Sequence, residues 1–339
     1  MQLQVQYLRA LAALAVFYYH IVANLKGSGN DYVPAIYEVG SAGVDLFFVI
    51  SGYIMAKIIW EKPFNAKNFV NSRIWRIVPL YWSATLFVFL IAAVAPSLLG
   101  STTADIGQLI HSLFFIPNGA NPLSSTPTLV IGWTLNYEMF FYALIVICVG
   151  LFRDKSLALT AALLCLIAII GQLIHFKNGY MQFYTDLIIL EFAFGIAVFH
   201  IVRLQGKSLP SYLAYTILIT SLAIMQLMTM AEINTHRVLT WGLPAAFALY
   251  AGLSALNFNS RLFTKLGDWS YEIYLLHVFI IAGGMKLILP YLNGINLSGP
   301  IKVTIFAAML AIIVIIASAI TNSVFAYLVP RLRSISIKR

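Results

Sequence analysis

Four ionisable residues stand where a sequence this apolar should carry none. His20 follows the run Ala10 to Tyr19, Asp45 precedes Leu46 to Ile50, Glu138 interrupts the stretch that begins at Trp133, and His277 interrupts another near the carboxyl end. A carboxylate at the centre of a bilayer costs roughly 2.5 to 3.5 kcal/mol on insertion scales. Each of these groups is therefore expected to face protein or an aqueous cavity, which argues against a purely structural bundle.

Arg9 precedes His20 on the same predicted helix. Their separation is about 16 Å of rise and three turns, which places them on nearly one face. That helix can hold a cation near one membrane surface and an imidazole in the other half of the bilayer. His20 and Asp45 are expected near the outer ends of consecutive antiparallel helices. An Asp accepting from one imidazole nitrogen would fix the tautomer and leave the other nitrogen to take a proton from an alcohol. A structural polar pair, or no contact at all, are the alternatives for these two residues.

Arg73 and Arg76 lie in Asn71-Ser72-Arg73-Ile74-Trp75-Arg76-Ile77-Val78-Pro79. On a helix this spacing turns both guanidinium groups to one side, suited to gripping phosphate oxygens. Anchoring beside a membrane span explains them equally well. Glu138 needs a polar partner, in a substrate cavity or a buried network. Tyr137, Glu138 and His277 are further site candidates, with a structural hydrogen bond as the bland reading for His277. Gly52, in Gly43 to Tyr53, is read as a packing position rather than a substrate contact.

The elements that must position these residues are membrane helices. The 339 residues are 61% hydrophobic and 10% charged, and apolar stretches near 7–25, 42–60, 77–96, 128–151, 156–174, 186–202, 212–231, 237–256, 270–291 and 301–329 can each cross a hydrocarbon core of about 30 Å. The expected fold is thus an all-α polytopic bundle of about ten spans. The stretch from Leu8 to Leu25 is read as a retained first helix rather than a cleaved signal. Of the 21 Lys and Arg, all but Lys26, Lys177, Arg237, Lys286 and Lys302 fall at one face. The positive-inside rule makes that face, and both termini, cytoplasmic. One membrane domain over 1–330 and a basic interfacial tail over 331–339 are expected. The segment 106–116, among several prolines, suits a short helix on the outer surface or dipping into the membrane.

Composition and motifs also exclude. The net charge of +9 reports topology, and no aromatic-basic surface points to nucleic acid. Cys148 and Cys165 lie in apolar runs and suit core packing rather than a disulfide. A Walker A loop, a His-Glu-x-x-His zinc sequence and a Gly-x-Ser-x-Gly elbow are all missing, and no ligand cluster calls for a metal.

Several segments taken together resemble the acyltransferase-3 family of integral membrane acyltransferases, in the branch that modifies cell-surface and exported polysaccharides. They are Leu8-Arg9-Ala10 leading to His20, the run Gly43 to Gly52, Arg73-x-x-Arg76-x-x-Pro79, Trp133-Thr134-Leu135-x-x-Glu138-x-x-Phe141-Tyr142, and Tyr271-x-x-Tyr274-Leu275-x-His277. The resemblance spans nearly the whole chain. Glu272 departs from it, standing where relatives often carry serine or a small residue, and no appended SGNH hydrolase-like domain is expected.

The resemblance implies a multi-pass enzyme of the bacterial inner membrane that moves an acyl group, acetyl by preference, from cytoplasmic acyl-CoA to a hydroxyl of a glycan or lipid-linked saccharide. By match, His20 is the essential histidine and Asp45 its acidic partner, Arg9 is the first-helix arginine lining the donor path, and Arg73 and Arg76 hold CoA. No permanently bound cofactor is implied; acyl-CoA is a substrate. The partners are the bilayer, acyl-CoA and the saccharide, and the sequence sets no oligomeric state. A carrier or flippase for a lipid-linked sugar is the rival reading of the same membrane charges.

Overall fold

The structure, a computed structural model, describes residues 2–28, 35–61, 63–99, 102–117, 126–206, 208–230 and 236–337. Lys62, Lys207, Lys338, Arg339 and most of the polar run from Asn118 lie outside these, as do the side chains of the basic tail beyond Arg331. Among the described residues fourteen α-helices run in chain order: α1 (Leu3–Gly27), α2 (Gly43–Glu61), α3 (Ala66–Val94), α4 (Ile106–Leu113), α5 (Trp133–Leu151), α6 (Ser156–Ile174), α7 (Gly179–Tyr184), α8 (Leu190–Gln205), α9 (Ser211–Met230), α10 (Leu243–Ala255), α11 (Arg261–Asp268), α12 (Ser270–Leu287), α13 (Leu289–Asn293) and α14 (Gly299–Ile337). No strand is present among the described residues.

Nine elements among the described residues are long and apolar enough to cross a membrane. The remaining expected span, 270–291, is the 18-residue α12, whose Glu272, His277 and Lys286 dilute its apolar character, followed by the separate α13. Pro290, at the start of α13, has no N–H to continue the α12 ladder. At the carboxyl end α14 passes through Pro330 to Ile337, so the basic tail begins as a continuation of the last helix rather than as a separate segment.

The chain divides into two compact units, and the division falls within α2. In the unit formed by residues 1–50 and 204–332, α1 is central. Ala10, Ala13, Phe17 and Ile21 on α1 pack with Leu266, Ile273, Ile281, Phe306 and Leu310 of α11, α12 and α14. Between α1 and α2 a 3₁₀ segment, Ala35–Ala42, runs back along α1 at very short range. A Cβ on Gly40 would lie 2.4 Å from the Ala15 carbonyl oxygen, and one on Gly43 would lie 2.5 Å from that of Ala12. Alanines on one side and glycines on the other permit this approach. A π-helical turn, Val238–Gly242, leads into α10; Pro244 cannot donate to the carbonyl four residues earlier, which favours such a turn.

The unit formed mainly by residues 51–203 packs α3, α5, α6 and α8 around Tyr81, Phe141, Ile145, Leu164 and Phe192, all essentially inaccessible. Phe141 of α5 stacks on Phe192 of α8 at 4.4 Å. Asn65 caps α3 by accepting from the Asn68 amide at 2.9 Å, and Asp105 caps α4 through the Gln108 amide at 2.6 Å, each satisfying an otherwise orphan N–H. The capped α4 realises the expected short helix, with Ile106, Ile110 and Phe114 exposed along one side and Trp82 Nε1 donating to the Leu113 carbonyl at 2.8 Å. Cys148 is in the core as expected, whereas Cys165 is exposed on α6.

Candidate functional site

In the first unit the two membrane histidines come together. His20 of α1 and His277 of α12 have ring centroids 5.0 Å apart with planes inclined at 33°. The Nδ1–H of His277 donates to the Tyr274 carbonyl at 2.6 Å, a carbonyl being an acceptor only, so Nε2 carries the lone pair. His277 is 1% exposed and that Nε2 has no hydrogen-bond partner among the described residues. A buried acceptor left unmade costs about 1–3 kcal/mol. His20 is half-buried, with Tyr19 packed edge-on at 5.0 Å. Its backbone carbonyl accepts from Asn24, while among the described residues no group hydrogen-bonds its ring.

Asp45 is not the partner of His20. Both of its oxygens accept from Arg237, Oδ1 from Nε at 2.9 Å and Oδ2 from the Nη2 group at 2.7 Å. Asp45 is wholly buried, whereas the Arg237 side chain is 34% exposed and lies over the Trp241 ring at 4.6 Å. The physical reason is twofold. A planar guanidinium offers a carboxylate two parallel charged donors, which a neutral imidazole cannot match. The axial register is also wrong for a dyad: Gly43 meets Ala12 and Val16, so α2 starts already below His20, and the offset from His20 to Asp45, two residues further down, is roughly 12 Å at 1.5 Å per residue.

Arg9, at the other end of α1, is 6% exposed and donates from Nη1 to Gln6 Oε1 at 3.0 Å. Gln6 in turn donates to Asp268 at the end of α11. The expected cation is therefore held in a buried polar network. Glu272 is also engaged, its Oε1 accepting from Asn322 of α14 at 2.7 Å.

The second unit holds the remaining candidates. Glu138 Oε1 accepts from the Tyr142 hydroxyl and, at 3.2 Å, from Ser51 Oγ, so the polar partner it required is a network. Arg73 lies 5.9 Å from the Tyr142 ring centroid and 5.8 Å from that of Phe69, which turns its charge toward this network. Arg76 is exposed, so the two arginines differ in environment although they share a helix. Tyr137 is committed to packing, stacked on Phe183 at 3.9 Å. Gly52 has the packing role expected of it: an added Cβ would stand 2.1 Å from the Phe192 carbonyl oxygen of α8.

A sequence profile of the family described as "Acyltransferase domain", acyltransferase-3, matches residues 3–322. The chain belongs to that family. As a member it is an acyl-CoA-dependent O-acyltransferase, and its apolar helices together with its bacterial relatives place it in the bacterial inner membrane as a multi-pass protein. It is 34% identical over 282 residues to the exopolysaccharide production protein ExoZ of Rhizobium meliloti, covering 81% of this chain and 85% of that one. It is 24% identical to the acyltransferase MdmB of Streptomyces mycarofaciens, over 83% of this chain and 79% of that one. It is also 24% identical to the putative membrane-bound transacylase BcsY of Komagataeibacter xylinus, over 91% and 80%. No solved structure matches the chain.

Arg237, Trp241, Gln6, Asp268 and Asn322 escaped the sequence reading. A signal existed for Arg237, one of the few basic residues on the side that the positive-inside rule disfavours. A cation kept there against that bias suggests a private carboxylate. The other four carry polar, acidic or aromatic side chains of ordinary kinds, and nothing in their spacing singles them out.

Proposed function

We propose that the protein transfers acetyl from acetyl-CoA to a hydroxyl of an exported or cell-surface glycan, with His20 as general base. The observation that carries the reading is the half-buried His20 ring, to which no group among the described residues hydrogen-bonds, leaving its nitrogens for a substrate hydroxyl. The likeness to an exopolysaccharide production protein over most of both chains supports a polysaccharide or its lipid-linked precursor as acceptor. His20 takes the hydroxyl proton as the oxygen attacks the thioester carbonyl carbon; the C–S bond breaks, and the CoA thiolate leaves and takes up a proton. Arg73, beside Tyr142 and Glu138, and the exposed Arg76 bind CoA phosphates, and Arg9 serves the donor from its network at the opposite end of α1 from His20. If α12 is a tenth crossing, both ends of the chain face the cytoplasm, where acyl-CoA is made.

The test uses the full chain in proteoliposomes, supplied with acetyl-CoA and the producing cell's polysaccharide or lipid-linked intermediate. Released CoA and acetylated glycan are measured per folded molecule. Wild type is expected to turn over only with acceptor present, and His20→Ala to lose about 10²- to 10⁴-fold, the usual contribution of positioned proton transfer, while retaining CoA binding. Sugar translocation without acyl transfer would establish the carrier reading instead, and near-wild-type turnover in folded His20→Ala would remove the general-base role.

A further inference from the structure

We propose that His277 is the positioning residue for His20, doing through its Nε2 what an acidic partner does in a histidine-carboxylate pair; this rests on the general-base role proposed for His20. Three observations carry it. The tautomer of His277 is fixed, because its Nδ1–H is committed to the Tyr274 carbonyl at 2.6 Å. The resulting Nε2 lone pair is buried and unpartnered. The ring is held on both sides, with Phe17 packed edge-on at 6.5 Å and Tyr274 at 5.7 Å. A rigid acceptor of fixed tautomer thus stands beside an imidazole whose own nitrogens are hydrogen-bonded by no group among the described residues.

The spacing already suits the bond. Two imidazoles joined by an N–H···N contact of about 2.9 Å have centroids roughly 5 Å apart, and the observed separation is 5.0 Å. Rotation of the His20 ring about its soft terminal torsion is the adjustment that aims one of its nitrogens along this contact. In that arrangement one His20 N–H donates to His277 Nε2, leaving the other nitrogen as the base, and the same bond stabilises His20 once it has taken the hydroxyl proton. Among the described residues, Asp45 is neutralised by Arg237, Glu272 has its Oε1 bonded by Asn322 of α14, and from α2 it is the Phe47 ring that meets Tyr274, at 6.0 Å.

The test compares His277→Phe, which keeps a planar ring and removes the acceptor, with His277→Gln, whose amide oxygen reaches the position of Nε2. Turnover and acetyl-CoA KM are measured on the full chain in proteoliposomes and normalised to folded protein. His277→Phe is expected to lower kcat about 100-fold with KM for acetyl-CoA within twofold of wild type, and His277→Gln to restore kcat to within about tenfold. In a His20→Ala background, His277→Phe should add nothing, since the two act as one unit. Equal kcat values for Phe and Gln, or a full further loss in the His20→Ala background, would overturn the assignment and leave a structural histidine. An inactive wild type with a competent acceptor refutes the acyl-transfer reading itself, a result distinct from an active wild type insensitive to His277→Phe.

Discussion

Removing Arg237 should unfold this protein more readily than removing any other single basic side chain resolved in its structure. Asp45 is wholly inaccessible and its two oxygens accept from Arg237 at 2.9 and 2.7 Å. Arg237→Ala leaves that carboxylate buried without its cation. Breaking a buried pair in this way costs about 3–5 kcal/mol. With the Arg237 side chain 34% exposed, water can relieve part of the loss, and about 3 kcal/mol is expected. Asp45→Ala leaves a cation that can still turn to water, so about 1–2 kcal/mol follows there. The double substitution removes both charges and should cost less than the sum by about 1.5 kcal/mol, a coupling well above the usual error of additivity. Reversible unfolding in mixed micelles measures all four proteins. Additive single effects would refute the ion pair as a stabilising unit. Turnover supplies a second check: Asp45→Asn should keep kcat per folded molecule within about threefold of wild type, because Asp45 does not touch His20. A 100-fold loss in folded Asp45→Asn would return Asp45 to the proton-transfer machinery.

Other consequences can be measured on the same preparations. Arg73→Ala and Arg76→Ala should each weaken acetyl-CoA binding about tenfold, the loss of a charge-assisted contact, while leaving insertion intact; unchanged affinity in both by calorimetric titration would make them anchors. Gly52→Val places side-chain atoms where the Phe192 carbonyl stands 2.1 Å from an ideal Cβ and should destabilise by about 1–3 kcal/mol, lowering folded yield without changing kcat per folded molecule. A folded, fully stable Gly52→Val would show that α2 and α8 are not in close contact.

The elements were largely legible because membrane helices announce themselves by length and apolarity. The run Ser156 to Ile174, for instance, contains no charged residue and is a helix from end to end. What failed to show is instructive in each case. The stretch 270–291 reads as one apolar run, yet Pro290 starts a separate helix there. Pro330 reads as the end of the last helix, whereas α14 continues through it to Ile337, because the proline removes one backbone hydrogen bond and its neighbours keep theirs. Gly52 was legible as a packing position because small residues in a membrane helix permit close approach. Arg73 and Arg76 looked equivalent, and the aromatic rings of Phe69 and Tyr142 that distinguish them lie on the same helix and on α5, respectively.

The central misreading was the pairing of His20 with Asp45, and its cause lies in a segment that carries no catalytic group. Consecutive antiparallel helices joined by a surface loop bring their facing ends level, and that assumption put the two residues side by side. Here the connection includes a 3₁₀ segment, Ala35–Ala42, which rises about 2 Å per residue and returns along α1 before α2 begins. Gly40 and Gly43 let it lie against the α1 backbone. Asp45 is thereby carried toward the membrane interior, where an uncompensated carboxylate is costly, and Arg237 supplies the compensation. His20 is left level with α12, whose contribution at that height is His277. The same descent that removes the acid from the histidine thus explains both pairings, and it does so with glycines and alanines, residue types whose spacing carries no chemical signal until the register of two helices is known.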